Sequence, residues 1–164
     1  MAVAARWIRL DPGGVPGLRA ASAGFALAQS ARAAPAVLWA GSAAGRIAFA
    51  VVAPLKFAPG RSRRWRSWAL APLIAAYRQF GLRAYLEGDG VFLSGREIAG
   101  SDAAAVGECA VVASSCLAQI PGLNDAFRGR IEAQHGWQFD HSWPTAAENE
   151  AITGAITGQP ADAE

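Results

Sequence analysis

Between Arg83 and Ala99 the hydrophobic period is two, and turn signatures cut the stretch into short apolar runs. The runs are Tyr85-Leu86, Val91-Phe92-Leu93 and Glu97-Ile98-Ala99, separated by Gly88-Asp89-Gly90 and by Ser94-Gly95. Period two places alternate side chains on opposite faces of a strand, and Gly-rich pairs supply the backbone of tight hairpins. The stretch is therefore expected to be a β-meander, which commits this chain to a sheet built largely of neighbouring antiparallel strands.

The segments around the meander alternate in type. Trp7 to Leu10 reads as an opening strand, turned by Asp11-Pro12-Gly13-Gly14. Leu18 to Arg32, Ala-rich with Phe25 and Leu27, is expected to be a helix. Ala36 to Trp39 and Arg46 to Val52 read as two strands, the second nearly all apolar as a central position requires. Pro54 to Gly60 reads as loop. Trp65, Trp68, Ala69, Leu73, Ala76, Tyr77 and Phe80 recur at helical spacing. Proline is tolerated in the first helical turn and costs about 3 kcal/mol inside a helix. Pro72 therefore predicts a regular helix from about Ala71 to Phe80, with Gly81 as its stop. Ala110 to Ala118 makes a further apolar strand. Asn124 or Asp125 is expected to cap a helix through Phe127 and Ile131 that stops at Gly136. Trp137 to Trp143 reads as an aromatic connection. Thr145 with Glu148 is a capping box that opens a last helix through Ile152 and Ile156.

That order predicts an α+β fold with a mixed or antiparallel sheet and packed helices. It predicts one domain over residues 1–156 and a disordered tail over 157–164. A chain of 164 residues suffices for one such core. Composition narrows the classes further. Of 15 basic residues only Lys56 is a lysine, and the net charge of +2 is too small to argue for nucleic acid. The apolar stretch Pro35 to Leu55 is interrupted by Gly41-Ser42, Gly45 and Arg46, so two strands are expected there and no membrane span. Met1 to Asp11 has no apolar stretch of signal-peptide length, so a cytoplasmic location is expected. Cys109 and Cys116 have neither zinc-ligand nor disulfide-framework spacing; two buried reduced thiols are expected, and no metal.

The run Gly95-Arg96-Glu97-Ile98-Ala99-Gly100-Ser101 closes the meander. It resembles the Gly-Arg-Lys-Ile-x-Gly-Ser signature of the lipoate-protein ligase and biotin-protein ligase catalytic domains. In that family the signature sits on a hairpin that brings a lysine onto the acyl-adenylate. The resemblance extends over about residues 5 to 120. It takes in the Trp-containing opening strand at Trp7, the Ala-rich segment Leu18 to Arg32, Phe80-Gly81-Leu82 before the meander, and Ser115 in the following strand. It implies a lipoate/biotin ligase-like domain, shortened and degenerate. It implies ligand-binding roles for Gly95, Arg96, Ile98, Gly100 and Ser101.

Three departures from the family pattern bear on chemistry. Glu97 stands where the family has its lysine. Two unit charges about 4 Å apart interact by roughly 4 kcal/mol at an effective dielectric of 20. Exchanging attraction for repulsion therefore outweighs a typical hydrogen bond, worth about 1 kcal/mol. The family's Arg-Arg-x-Thr-Gly-Gly-Gly-like segment and following His have no counterpart; only Ala40 to Arg46 spans that gap. Asp89-Gly90 stands where Asn-Asp is usual, and the expected His aligns near Ala113.

These departures favour a pseudoenzyme: a ligase-like domain that no longer adenylates and instead binds a protein partner or an acyl ligand. The family works with ATP, magnesium and lipoate; with these residues altered, no cofactor is assigned here. The partner implied is an acidic lipoyl-domain protein or an active ligase subunit. The alternative is a divergent lipoate-protein ligase or a lipoyl/octanoyl acyltransferase, functioning as one subunit of a two-chain enzyme. That alternative needs a catalytic group, either Lys56 or Glu97, or a Cys109 or Cys116 nucleophile with His135 or His141 as base. Arg61, Arg63, Arg64 and Arg66 around Trp65 and Trp68 form either a solvated helix start or a docking patch for an acidic protein. Trp137, Phe139 and Trp143 beside Asp140 and His141 read as core-capping aromatics or as a lid.

Overall fold

The computed structural model describes residues 3–9, 34–41, 46–106, 108–117 and 120–142. The helix expected over Leu18 to Arg32, the capping box at Thr145 and Glu148 and the tail 157–164 lie outside the described residues. The strands are β1 (Val3–Arg9), β2 (Ala36–Gly41), β3 (Arg46–Pro54), β4 (Tyr85–Glu87), β5 (Gly90–Leu93), β6 (Arg96–Val106), β7 (Cys109–Leu117) and β8 (Trp137–Ser142). The α-helices are α1 (Trp65–Gln79) and α2 (Leu123–His135). The strands form one sheet in the order β4-β5-β6-β7-β3-β2-β1-β8. It is mixed: β1 runs parallel to β2 and β8, and every other pairing is antiparallel.

The apolar run of β3 is central, as its composition predicts. Phe49 and Val51 point to the same face as Val112 of β7 and Val37 of β2, and all belong to one core cluster. Trp65, Ala69, Leu70, Leu73, Ala76 and Tyr77 of α1 and Leu123, Phe127 and Ile131 of α2 pack into the same cluster. The alternate residues Leu38, Ala50, Val52 and Val111 are also at most 1% exposed, so the middle of the sheet is buried on both faces. That is the environment in which a strand reads as a continuous apolar run.

Helix α1 begins at Trp65, six residues before the expected start at Ala71, with Pro72 inside it. Two features accommodate the proline. Pro72 lies on the buried face with Ala69, Leu73 and Ala76. Its missing N–H would have taken the Trp68 carbonyl four residues back, and the Trp68 backbone is instead hydrogen-bonded by His135 of α2. The helix stops where expected. Gly81 has φ +82°, and the Leu82 N–H to Tyr77 O and Gly81 N–H to Arg78 O bonds complete a Schellman motif.

Two other expectations are corrected. Helix α2 is capped by Gly122 in a left-handed conformation, and the Asn124 side-chain oxygen is buried with no hydrogen bond. The Trp137 stretch is a strand, β8, paired in register with β1 from Val3↔Trp137 to Ile8↔Ser142. Its aromatics are core: Trp137 is 3% exposed, and Phe139 packs edge-on against Trp7 at 5.1 Å. No described helix is long and apolar enough to cross a membrane.

Candidate functional site

The signature run forms the β5–β6 hairpin. Leu93 pairs with Arg96, and the turn between them is Ser94-Gly95 with φ +54° and +79°. Two central residues at positive φ match the tight hairpin turn whose twist suits antiparallel strands. Beyond the turn the register slips. Phe92 pairs with Glu97 but Val91 pairs with Ala99, so Ile98 is the extra residue of a β-bulge. The bulge turns Ile98 and Ala99 inward together, at 4% and 1% exposure. Glu97 and Gly100 are left on the opposite, outer face.

That geometry decides where the carboxylate goes. A β-carbon on Gly100 would lie 3.0 Å from Glu97 Oε1, and one on Gly90 3.2 Å from Oε2. The Glu97 side chain thus lies against two glycines on adjacent strands, in space that any side chain there would fill. It is exposed, so solvent screens its charge. The hairpin is tied to the rest of the fold through Asp89. Ser101 Oγ donates to the Asp89 carbonyl at 2.5 Å, and Arg66 Nη1 of α1 pairs with Asp89 Oδ1 at 2.7 Å. On the next strand Ser114 Oγ donates to the Gly100 carbonyl at 2.5 Å.

The residues expected to bind ligand therefore divide. Gly95 shapes the turn, Gly100 makes room for Glu97, and Arg96 is exposed beside it. Ile98 is in the core and Ser101 is bonded back to the meander. The facing ends of β2 and β3, Gly41 and Arg46, lie at the same end of the sheet. Arg46 is level with Leu117, and Ala99 is level with Cys116, so Arg46 and Ile98 share a register position two strands apart.

Lys56 does not join them. It follows β3 at the end where Pro54 is level with Cys109 and Val106. Nine residues of β6 separate Val106 from Glu97, roughly 30 Å at about 3.3 Å per residue. Its Nζ sits 5.0 Å above the Phe57 ring. Neither cysteine is in a disulfide, and both are buried. Burial and then the Glu108 charge push the Cys109 thiol up, away from the thiolate a nucleophile requires. His141 lies on β8, four strands from β7. His135 stacks on Trp68 at 4.6 Å and bonds its backbone, so it is committed to the helix interface. Among the described residues no cluster of potential ligands could hold a metal.

The bulge was the feature missed in the sequence. Its signal is Ile98-Ala99, two consecutive apolar residues inside an alternating run.

No family model matches the chain, and no curated protein matches it in sequence. Solved structures do. A bipartite lipoate protein ligase, studied with its E2 lipoyl domain, from Thermoplasma acidophilum superposes with a TM-score of 0.76 at 11% identity, over 96% of this chain and 93% of that one. The fold is that of the lipoate/biotin ligase catalytic domain. A lipoate-protein ligase A crystallised with ATP has a TM-score of 0.75 at 10% identity, over 97% of this chain and 96% of its own. A biotin acetyl coenzyme A carboxylase synthetase from Helicobacter pylori, bound to biotinylated ATP, has a TM-score of 0.58 at 12% identity, over 80% and 75%. At such identities the ligase fold is shared, while the residues that occupy it are this chain's own.

Proposed function

We propose that this ligase-fold chain forms no acyl-adenylate on its own and acts in the cytoplasm by binding a protein partner, a lipoyl-type domain or an active ligase subunit. The observation that carries the proposal is the Glu97 carboxylate lying against Gly90 and Gly100 on the signature hairpin. An adenylating hairpin must gather negative charge from phosphate and carboxylate, and a carboxylate at its centre repels both. Lys56, the sole lysine, stands at the far end of β3. The bipartite ligase among the similar structures supports a partner, because a two-protein system already exists on this fold.

The test is to incubate the purified chain with ATP, magnesium and lipoate and to follow pyrophosphate and lipoyl-AMP. The expected result is no turnover. Replacement of the acid, Glu97→Lys, is expected to create binding of lipoyl-AMP, measured by calorimetry. Turnover by the unaltered chain would overturn the proposal and favour the alternative, a divergent ligase or lipoyl/octanoyl transferase.

A further inference from the structure

A groove of about 670 Å³ is lined by α1, α2 and Leu86 of β4, and by none of the residues of the signature run Gly95 to Ser101. Its floor is Ala71, Ile74 and Ala75 of α1 with Leu86 of β4. The three α1 residues recur along one helical stripe, and Leu86 beside them is 37% exposed. Small residues at Ala71 and Ala75 let another backbone come close. The rim is polar and carries two guanidinium groups, Arg78 and Arg130, with no acid among the lining residues.

Both arginines are held in place through one nitrogen only. Arg78 Nε donates to the Ala84 carbonyl at 3.0 Å, and Arg130 Nε donates to Gln79 Oε1 at 3.1 Å. Among the described residues the Nη nitrogens of both groups meet no protein acceptor. A guanidinium fixed at Nε presents its remaining donors in a geometry suited to carboxylate. Arg61, Arg63 and Arg64 are exposed just before α1 and extend the positive charge at the start of the stripe. From Ser67 to Gln79 the stripe covers thirteen residues, twelve steps and roughly 18 Å at about 1.5 Å per residue. That is a little over three helical turns.

We infer that this groove docks an acidic amphipathic helix of a protein partner. Its apolar stripe packs on Ala71, Ile74, Ala75 and Leu86, and its carboxylates pair with Arg78 and Arg130. The inference rests on the proposal that the chain works through a protein partner, and it names the surface and the chemistry of that contact. An amphipathic helix meets such a groove through anchors at i, i+3, i+4 and i+7, the spacing of Ala71, Ile74, Ala75 and Arg78 on α1.

The test uses the full chain and a fluorescein-labelled synthetic helix of 16 residues with leucines on one face and glutamates flanking them. Fluorescence anisotropy is expected to show saturable binding. The same peptide with lysines in place of glutamates is expected to bind at least tenfold more weakly. Arg78→Glu and Arg130→Glu are each expected to lower affinity at least tenfold; because each also loses its Nε hydrogen bond, Arg78→Lys and Arg130→Lys, which keep the charge, are expected to retain more of the binding than the Glu variants. Ala75→Phe fills the groove without altering charge, and it is expected to abolish binding. If Ala75→Phe binds as well as the unaltered chain, the attraction is diffuse and the docking site is rejected. Absence of binding also rejects it. A concentration-dependent dimer that Ala75→Phe dissociates would assign the groove to a second copy and overturn the inference. Peptide binding alongside ATP turnover would sink the non-adenylating proposal and leave the docking surface standing. No turnover and no peptide binding would do the reverse.

Discussion

At Gly90 the side chain is limited to a hydrogen atom. A β-carbon there would lie 2.9 Å from the Ala99 carbonyl oxygen and 3.1 Å from the Glu97 side chain. The first contact is backbone and cannot rotate away, so β5 and β6 would have to part. Gly90→Ala is expected to destabilise the fold by about 1–3 kcal/mol in urea unfolding, the usual range for overpacking. Gly60, with nothing within 4 Å of its β-carbon position, is the control. Gly60→Ala is expected to change stability by less than about 0.5 kcal/mol. The thiols offer a second check at this scale. With Cys109 and Cys116 buried and the Cys109 thiol pushed up, iodoacetamide at pH 8 is expected to leave both unmodified until denaturant is added. Fast alkylation of the folded chain would reopen a cysteine-based transferase.

The contact between α1 and α2 turns on His135. It hydrogen-bonds the Trp68 backbone, stacks on the Trp68 ring, meets the Trp137 ring at a tilt, and buries Nε2 without a partner. Desolvation, the largest influence, lowers its pKa; its backbone bonds to Trp68 and Gln134 act the other way. A histidine whose folded-state pKa lies below its unfolded value of about 6.5 is protonated more readily in the unfolded chain. Its contribution is thus fully present above about pH 6.5 and is lost as pH falls toward the folded value. Urea midpoints are expected to drop between pH 7.5 and 5, and His135→Gln is expected to flatten that dependence. An unchanged slope in the variant would remove His135 as the cause. This contact also explains why the start of α1 was not legible in the sequence. Pro72 forbids a helix interior by local rules, and the residue that bonds the Trp68 backbone is 67 positions away. Gly81 and Gly136, which act through their own backbone, were legible as stops.

Across the whole molecule, legibility follows how locally a feature is determined. The meander, the β3 and β7 runs and the hairpin turn are written in neighbouring residues and appear close to where they were expected, but the last meander strand, β6, continues seven residues past Ala99 to Val106 because it pairs along the whole of β7. β8 was not legible because its partner is β1, at the other end of the chain, and alternation in Trp137-Gln138-Phe139-Asp140 is too short to decide by itself. The candidate site was half legible. The signature named Glu97, but the bulge that sets the carboxylate against Gly90 and Gly100 is a property of strand pairing. The same arrangement distributes stability unevenly. Phe49 to Val52 of β3 are at most 2% exposed and lie between β2 and β7. β4 is a three-residue strand at the end of the described sheet order, and β5 beside it has four residues. Short edge elements open at a fraction of the global free energy, while central strands exchange only when the whole domain unfolds. Native-state hydrogen exchange is expected to find the amides of Phe49 to Val52 and of Val111 and Val112 slowest. Those of β4 and β5 are expected to exchange by a separate, lower-energy opening. Because Arg66 clamps the turn between them, Arg66→Ala should lower the opening energy of β4 and β5 and leave the β3 amides unchanged. If all these amides slowed and quickened together, the hairpin would belong to the global unit. The signature would then sit on a rigid platform, and the Arg66–Asp89 pair would have no separate part in holding it.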